Sequence, residues 1–430
     1  MRFEQLQDWL QWMEAQHPRQ IDLGLERIAE VARQLNFSLD MPVITVAGTN
    51  GKGSCVALLS QIFRCAGLSV GAYTSPHLLR YNERIVIDGE PVTDAALCHA
   101  FDVVDQARQG TSLTYFEFGT LAALQLFSEA QPDVLVLEVG LGGRLDAVNI
   151  VDADVAVISS VDLDHQAWLG DDRETIAREK AGIMRRGRPV VFGDTRRSPA
   201  IGETAAACLA RLFERGADFD LQDDGAVWHW RGIDRLGQGS ELRDLPCPSL
   251  LLDNAATVIQ ALRQLPFDVP DSAIREGLRQ VHIPARGECF ALREHQLLLD
   301  VAHNPAALAR LQQRLPELAA QGSIDAVFAV MADKQLGDSL AAFAPWVRHW
   351  YLPPLPGVER AMPPARLRQQ LLAAGVDDAA ITELPPLPES LPKVRARLVK
   401  DDSLLVFGSF FTVAALMQAM PAAAFVEILH

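Results

Sequence analysis

Residues 42–56, PVITVAGTNGKGSCV, constrain this chain more than any other stretch. Val43, Ile44, Thr45 and Val46 form an apolar, β-branched run of the kind that fills a buried strand. Gly48, Gly51 and Gly53 follow around Lys52 and Ser54. CVALLSQIFRCAGL then sets Val56, Leu59, Ile62 and Phe63 on one helical face. Strand, glycine-rich turn and helix, in that order, point backbone N–H groups and a helix N-terminus at an anion. In such a loop the glycines let the backbone close around phosphate, a lysine reaches the β- and γ-phosphates, and a hydroxyl ligates Mg²⁺. The spacing departs from the usual form. Two residues separate Gly48 from Gly51 where four are usual, and Gly53 stands between Lys52 and Ser54. A plain tight turn with a surface lysine is the alternative, but three glycines in six residues are costly there.

The bulk numbers narrow the class. At 430 residues the chain exceeds one ordinary core, so two domains are expected. A net charge of −16 argues against general nucleic-acid or anionic-membrane binding, so an anionic substrate must meet a local basic site. Six scattered cysteines without a CxxC pair read as reduced thiols of a cytoplasmic protein. The opening MRFEQLQDWLQWMEAQH is amphipathic and charged, which is not the pattern of a signal peptide. No run approaches a membrane span.

Along the chain, helices are predicted over 6–13, 25–35, 95–107, 116–130, 174–184, 204–215 and 254–265. Strands are predicted over 43–46, 68–73, 133–138, 154–159 and 189–193, with TSPHLLRYNERI as a loop and a small meander around Val227 to Trp230. This alternation predicts an α/β fold with a mostly parallel sheet and function at the strand C-termini. The pattern breaks around VHIPARGE, and LLLDVAHNPAALARLQQRL starts a second, smaller α/β unit. Its further strands are predicted over 326–330, 350–352 and 404–407, with 353–364 an ordered proline-rich loop. The boundary is placed between 287 and 288.

Three further strand ends carry ligand-type side chains: Ser75, Glu138 and His165. A serine hydroxyl and one carboxylate suit Mg²⁺, whereas imidazole suits softer metals, so His165 by itself reads as a capping or core histidine rather than a ligand. Glu138 closes an apolar strand, an expensive place for a charge unless it meets a metal or a lysine. Lys180, in REKAGI, reads by itself as a solvated helix lysine. Arg144 and Asp146 either bind a polar substrate or form a turn. Asn254 is either a helix N-cap or a nucleotide contact. Asp300 ends an apolar strand, and His303 beside it is either functional or part of the turn.

GTNGKGS, TSPHLLRYNERI, LTYFEFGT, LEVGLGGRLDAVN, DHQAWLG, REKAGI, DVAHNP and FGSFFTVA stand in that order. Together they resemble the bacterial folylpolyglutamate synthase/dihydrofolate synthase family, within the Mur ligase-like superfamily. The likeness covers nearly the whole chain, starting at DLGLERI. It implies an N-terminal P-loop ATPase domain over 1–287 and a C-terminal α/β glutamate-ligase domain over 288–430, with ATP in the cleft between them. The resemblance assigns Thr49, Asn50, Gly51, Lys52, Gly53, Ser54, Asn254, Arg286 and Asp300 to ATP. It assigns Ser75, Glu138 and His165 to Mg²⁺, and implies that a carbamylated Lys180 serves a second Mg²⁺. Lys52, Lys180, His303 and Ser409 would be catalytic. Thr114, Tyr115, Phe116, Glu117, Leu145, Asp146 and Ala147 would hold the pterin. One departure stands out: where the family often has Gly-Arg-Phe, this chain has Ala285-Arg286-Gly287.

The implied activity joins L-glutamate to dihydropteroate and to reduced folates, in a cytoplasmic monomer whose partners are small molecules. A carboxylate is a poor electrophile at neutral pH, so ATP would convert it to an acyl phosphate for the glutamate amine to attack. A cell-wall ligase of the same superfamily needs an N-terminal domain for a UDP-sugar, and about 40 residues before the strand are too few. A nucleotide-gated binding protein without ligase activity is the rival from another class.

Overall fold

The computed structural model describes the chain apart from residues 20, 293, 335, 421–425 and 428–430. Its contacts divide it into Met1–His282 and Ile283–His430, whereas the sequence places the change at 287/288.

In the first unit, α1 (Leu6–Glu14) and α2 (Glu26–Leu35) lead into β1 (Val43–Ala47) and α3 (Lys52–Cys65). Then come β2 (Val70–Tyr73), a 3₁₀ turn over Tyr81–Arg84, and the hairpin β3 (Ile85–Ile87) and β4 (Glu90–Pro91). Next are α4 (Asp94–Ala107), α5 (Tyr115–Ala130), β5 (Val134–Glu138), β6 (Val155–Ile158), α6 (Gln166–Leu169), α7 (Arg173–Ala181) and β7 (Pro189–Phe192). The unit closes with α8 (Pro199–Cys208), β8 (Arg211–Glu214), β9 (Asp220–Asp223), β10 (Val227–Ile233), β11 (Gly239–Pro246), α9 (Leu252–Leu262) and α10 (Asp271–Gln280).

The main sheet runs β4-β3-β2-β5-β1-β6-β7-β8, parallel from β2 onward. β1 sits at its centre, with all five residues buried. Alternate β1 side chains serve opposite faces. Ile44 and Val46 join the core under α3, α9 and α10, while Val43 joins the one under α1, α2, α4 and α5. Each such buried side chain contributes about 1.5–3 kcal/mol. The antiparallel β9–β11 meander buries Trp228 and Trp230 against the same core as α3.

Two local predictions change. A helix predicted over 204–215 ends at Leu209 in the left-handed region, and 211–214 join the sheet edge beside β7 as β8. Pro199 opens that helix earlier than its apolar residues suggest. The predicted loop TSPHLLRYNERI ends in the 3₁₀ turn and the start of β3. α10 lies outside the predicted helices, with Ala273, Ile274 and Leu278 as its buried face.

In the second unit, β12 (Arg286–Leu292) and β13 (His295–Asp300) form a hairpin. α11 (Pro305–Gln312), α12 (Leu315–Ala319), β14 (Ile324–Phe328), α13 (Gly337–Ala341), β15 (Val347–Leu352) and α14 (Pro364–Ala373) follow. β16 (Ile381–Glu383), α15 (Leu387–Arg395), β17 (Ser403–Phe407), α16 (Phe410–Ala419) and β18 (Val426–Glu427) complete it. The sheet order is β16-β15-β14-β17-β13-β12-β18, with the strands from β16 to β13 parallel. β12 takes Arg286 and Gly287 into this unit.

Candidate active site

Parallel strands bring their C-terminal ends to one edge, and in the first unit four of those ends lead into the predicted site residues. Val46 lies opposite Glu138, and Ala47 opposite Ile158, so the loops after β1, β5 and β6 start side by side. The loop after β2 joins them, because Ser75 N–H donates to Glu138 Oε2 at 3.2 Å.

The loop of residues 48–51 folds only with glycine at two places. A Cβ on Gly48 would fall 2.0 Å from Ser159 Oγ. Gly51 has φ +87°, and a Cβ there would fall 2.4 Å from Asn254 Oδ1. Asn254 is thus beside the loop, and as the third residue of α9 it is not the N-cap, which is Leu251. Lys52 opens α3 and donates to the carbonyls of Gly48 and Thr49 at 3.0 and 3.4 Å. The residues after β6 brace the loop from behind. Thr49 N–H donates to Ser160 O at 2.8 Å, and Asn50 N–H to Ser160 Oγ at 3.1 Å. Ser159 and Ser160 hydroxyls donate to Asn50 O at 2.6 and 3.0 Å, while Asp162 N–H donates to Thr49 Oγ1 at 2.9 Å.

A small cavity opens in front of this loop. Its walls are Gly48, Thr49, Lys52, residues 139–142, Asp164, His165, Leu169 and Lys180. Lys180 is 4% exposed, so the reading as a solvated helix lysine is wrong. Burial pushes its ammonium down to about 7, Lys52 adds to that shift, and Asp164 and Asp146 oppose it. His165 sits in the left-handed region ahead of α6, makes no side-chain cap, and keeps its ring partly exposed. Glu138 is 4% exposed, and its Oε2 lies 3.7 Å from where a Cβ on Gly53 would be. Among the described residues, no three His, Cys, Asp or Glu side chains are spaced as a ready metal site. The donors present fit Mg²⁺ by chemistry: a buried carboxylate touching Ser75, with Gly53 at the start of α3 left open beside it.

The segments assigned to the pterin divide into scaffold and surface. Thr114 caps α5 and forms a capping box with Glu117, whose other oxygen accepts from Arg27 at 3.2 Å. Asp146, 2% exposed, accepts from the N–H groups of Leu141 and Val148 at 2.8 and 3.0 Å, which fixes the glycine-rich turn. Burial pushes its carboxyl up to about 7, against those N–H groups and the Lys52 charge. Ala147 is buried and Leu145 half-buried. Phe116 lies under the cavity-lining Gly140, where a Cβ would come within 2.6 Å of its ring. Tyr73 packs on Phe116, and Tyr115 on Tyr81.

Two residues of this site escape sequence reasoning. Asp164, beside His165, forms cavity wall. Arg84 is buried over the rings of Tyr81 and Tyr115, at 5.2 and 5.7 Å, and donates from Nε to His77 Nδ1 at 2.9 Å. Burial, then the Arg84 charge, pushes His77 down to about 4 against the pull of Glu83, so its ring is neutral and accepts that bond. Neither residue has a spacing signal, since each depends on where a loop folds back.

In the second unit the predicted residues also share one sheet end. Arg286 pairs with Asp300 across β12 and β13, and Asp300 lies opposite Phe407 at the end of β17. Arg286 stacks on Phe410 at 5.3 Å. Burial raises the Asp300 carboxyl, Arg286 opposes that, and Ala302 N–H donates to it at 2.7 Å. His303 Nδ1 donates to Val301 O at 2.7 Å. Ser409 caps α16 by accepting from Thr412 N–H. Thr412 gives its hydroxyl proton to Ala329 O, so Ser409 is the donor in the 2.7 Å bond between the two hydroxyls.

Residues 285–410 match the family model described as Mur ligase, glutamate ligase domain. A dihydrofolate synthase/folylpolyglutamate synthase of Escherichia coli K12 is 40% identical over 418 residues, covering 97% of this chain and 96% of that protein. The structure of E. coli FolC in complex with DHPP and ADP superposes with a TM-score of 0.89 at 40% identity, covering 96% of this chain and 97% of that one. A bifunctional folylpolyglutamate synthase/dihydrofolate synthase with Mn, AMPPNP and L-glutamate bound gives a TM-score of 0.88 at 41% identity, with 97% and 98% covered. Likeness at this level over nearly the whole of both chains leads to one statement: the chain belongs to the dihydrofolate synthase/folylpolyglutamate synthase family.

Proposed function

We propose that this protein is an ATP-dependent ligase that adds L-glutamate to dihydropteroate and to reduced folates, through an acyl phosphate, releasing ADP and phosphate. The observation that carries the reading is the single cavity on which Lys52, Lys180, His165 and the glycine-rich turns meet. The ADP, AMPPNP, Mn and L-glutamate bound in the related structures support it.

In this reading the N–H groups of residues 51–54 and Lys52 hold the β- and γ-phosphates, Ser160 keeps Thr49 and Asn50 in place, and Asn254 sets the loop from the side. Ser75, Glu138 and His165 would hold a divalent cation, whose bound charge offsets that of the transferring phosphoryl group. Lys180 would be carbamylated, and its new carboxylate would supply oxygen ligands for a second cation. A lysine with an ordinary pKa near 10.4 is neutral in only about one molecule in two thousand at pH 7. At a pKa of about 7 it is neutral about half the time, and only the neutral amine attacks CO₂. Tyr115, Phe116 and Leu145 receive the acceptor, while Thr114, Glu117, Asp146 and Ala147 hold its walls. Within the second unit, Arg286 and Asp300 are the residues for the nucleotide, and His303 and Ser409 those for glutamate. The protein acts as a cytoplasmic monomer. No described helix is long and apolar enough to cross a membrane.

Mass spectrometry of products from dihydropteroate, and separately from tetrahydrofolate, with ATP, Mg²⁺ and glutamate tests the proposal. Each acceptor should gain glutamate, and ADP release should require both glutamate and an acceptor. ATP turnover that needs neither would favour the nucleotide-gated binding protein instead.

A further inference from the structure

The residues after β6 hold the phosphate loop from behind, and Val161 lies in the middle of them. Its peptide is gripped from the far side at both polar atoms. Val161 N–H donates to Asp194 Oδ2 at 3.1 Å, and its carbonyl accepts from Arg173 Nε at 3.1 Å and Arg196 Nη2 at 2.9 Å. Both arginines also donate to Asp194 Oδ2, each at 3.2 Å. Arg173 spends its remaining N–H groups on the carbonyls of Arg196 and Arg197, at 2.6 and 3.0 Å, and on Glu174. The Asp194 side chain is only 7% exposed. Arg173 is the first residue of α7, the helix that carries Lys180 into the cavity. None of the three clamp side chains lines that cavity.

We propose that Arg173, Asp194 and Arg196 form a clamp that sets the phosphate loop through the Val161 peptide, which makes Arg173 a positioning residue for the nucleotide. This rests on the reading of residues 49–54 as the ATP site. A planar guanidinium spread over several carbonyls is a directional brace, which a flexible ammonium reproduces only in part. Displacing a binding loop by a fraction of an ångström is enough to weaken a charged ligand that depends on several aligned N–H groups.

Calorimetric titration with ADP and Mg²⁺ tests the clamp. Arg173→Gln and Asp194→Asn should each weaken ADP binding by about tenfold, the scale of one lost charge-assisted hydrogen bond. The double variant should be no weaker than the worse single one, because the groups act as a unit. Arg173→Lys should fall between wild type and Arg173→Gln. Steady-state kinetics should show a lower kcat for Arg173→Gln with the acceptor KM changed by less than about twofold, since the acceptor walls are held by other residues. Wild-type ADP affinity in both single variants, additive losses in the double variant, or an equal loss of acceptor affinity would each overturn the clamp. If Arg173→Gln does not fold, Asp194→Asn and Arg196→Gln provide the same cycle. Failure of the ATP-site reading would look different, because wild-type protein itself would then show no ADP binding.

Discussion

At the scale of single residues, Lys180 makes the sharpest demand. Lys180→Arg keeps a cation that cannot carbamylate, so its ligation rate should fall below about 1% of wild type, as when a group needed only in the transition state is lost. Lys180→Ala should regain measurable activity with added acetate. Full activity in Lys180→Arg would return Lys180 to a structural role. Its titration also predicts a stability effect in carbamate-free protein. The pKa is about 7 folded against 10.5 for an ordinary lysine, so the unfolded chain binds more protons between those values. The penalty of burying the ammonium is therefore complete below about pH 7 and fades as pH rises toward 10.5. Lys180→Met should raise the melting midpoint more at about pH 6 than at about pH 9; a gain independent of pH would refute this. Asp146 gains a second reading from the structure, beside that of a pterin contact. As a pterin contact it predicts that Asp146→Ala harms dihydropteroate more than folate. As the buried anchor of the turn at Leu141 and Val148, it predicts that Asp146→Asn slows both acceptors alike, with about 1–3 kcal/mol lost from stability as amide N–H groups face N–H groups. Unequal kcat losses would restore the contact role.

Among the elements, the turn from β1 to α3 tolerates least. Gly51→Ala places a Cβ on a left-handed backbone, at about 1–2 kcal/mol, and against Asn254. ADP affinity should fall with it, and wild-type affinity would show that the loop relaxes freely. The start of α5 is a simpler case. Thr114→Ala removes a buried N-cap and should cost about 1 kcal/mol or somewhat more, measured by urea unfolding. No change in the urea midpoint would mean that Glu117 alone holds that helix end.

For the whole molecule, binding and folding are linked through Lys52. ADP with Mg²⁺ at about 100 times its Kd should stabilise the wild type by about 2.7 kcal/mol. Lys52→Ala should melt like wild type without ligand, show little shift with ADP, and ligate neither acceptor. A Lys52→Ala protein with near-normal turnover would remove the phosphate loop from the mechanism. The net charge of −16 fits the proposed local site, in which loop amides and one lysine rather than a basic surface would meet the anion.

The sequence by itself determined the alternation of strands and helices, the glycine-rich turn from β1 to α3 and the family. Those depend on local periodicity, glycine placement and long motifs, which survive without knowledge of neighbours. Strand β8 and helix α10 were lost because a short RLFE segment and a lightly apolar helix acquire their faces only from the elements they pack on. Only the tertiary structure decided which charges are buried. Lys180 looks solvated beside Glu179 in a polar helix, and becomes 4% exposed because α7 packs against the glycine-rich turn, where Gly143 leaves no room for a Cβ beside the Lys180 backbone. Arg84, Asp164 and the clamp around Val161 are likewise products of loops folding back over the sheet edge. Desolvation and hydrogen-bond partners are set by that distant packing, and no spacing along the chain encodes them.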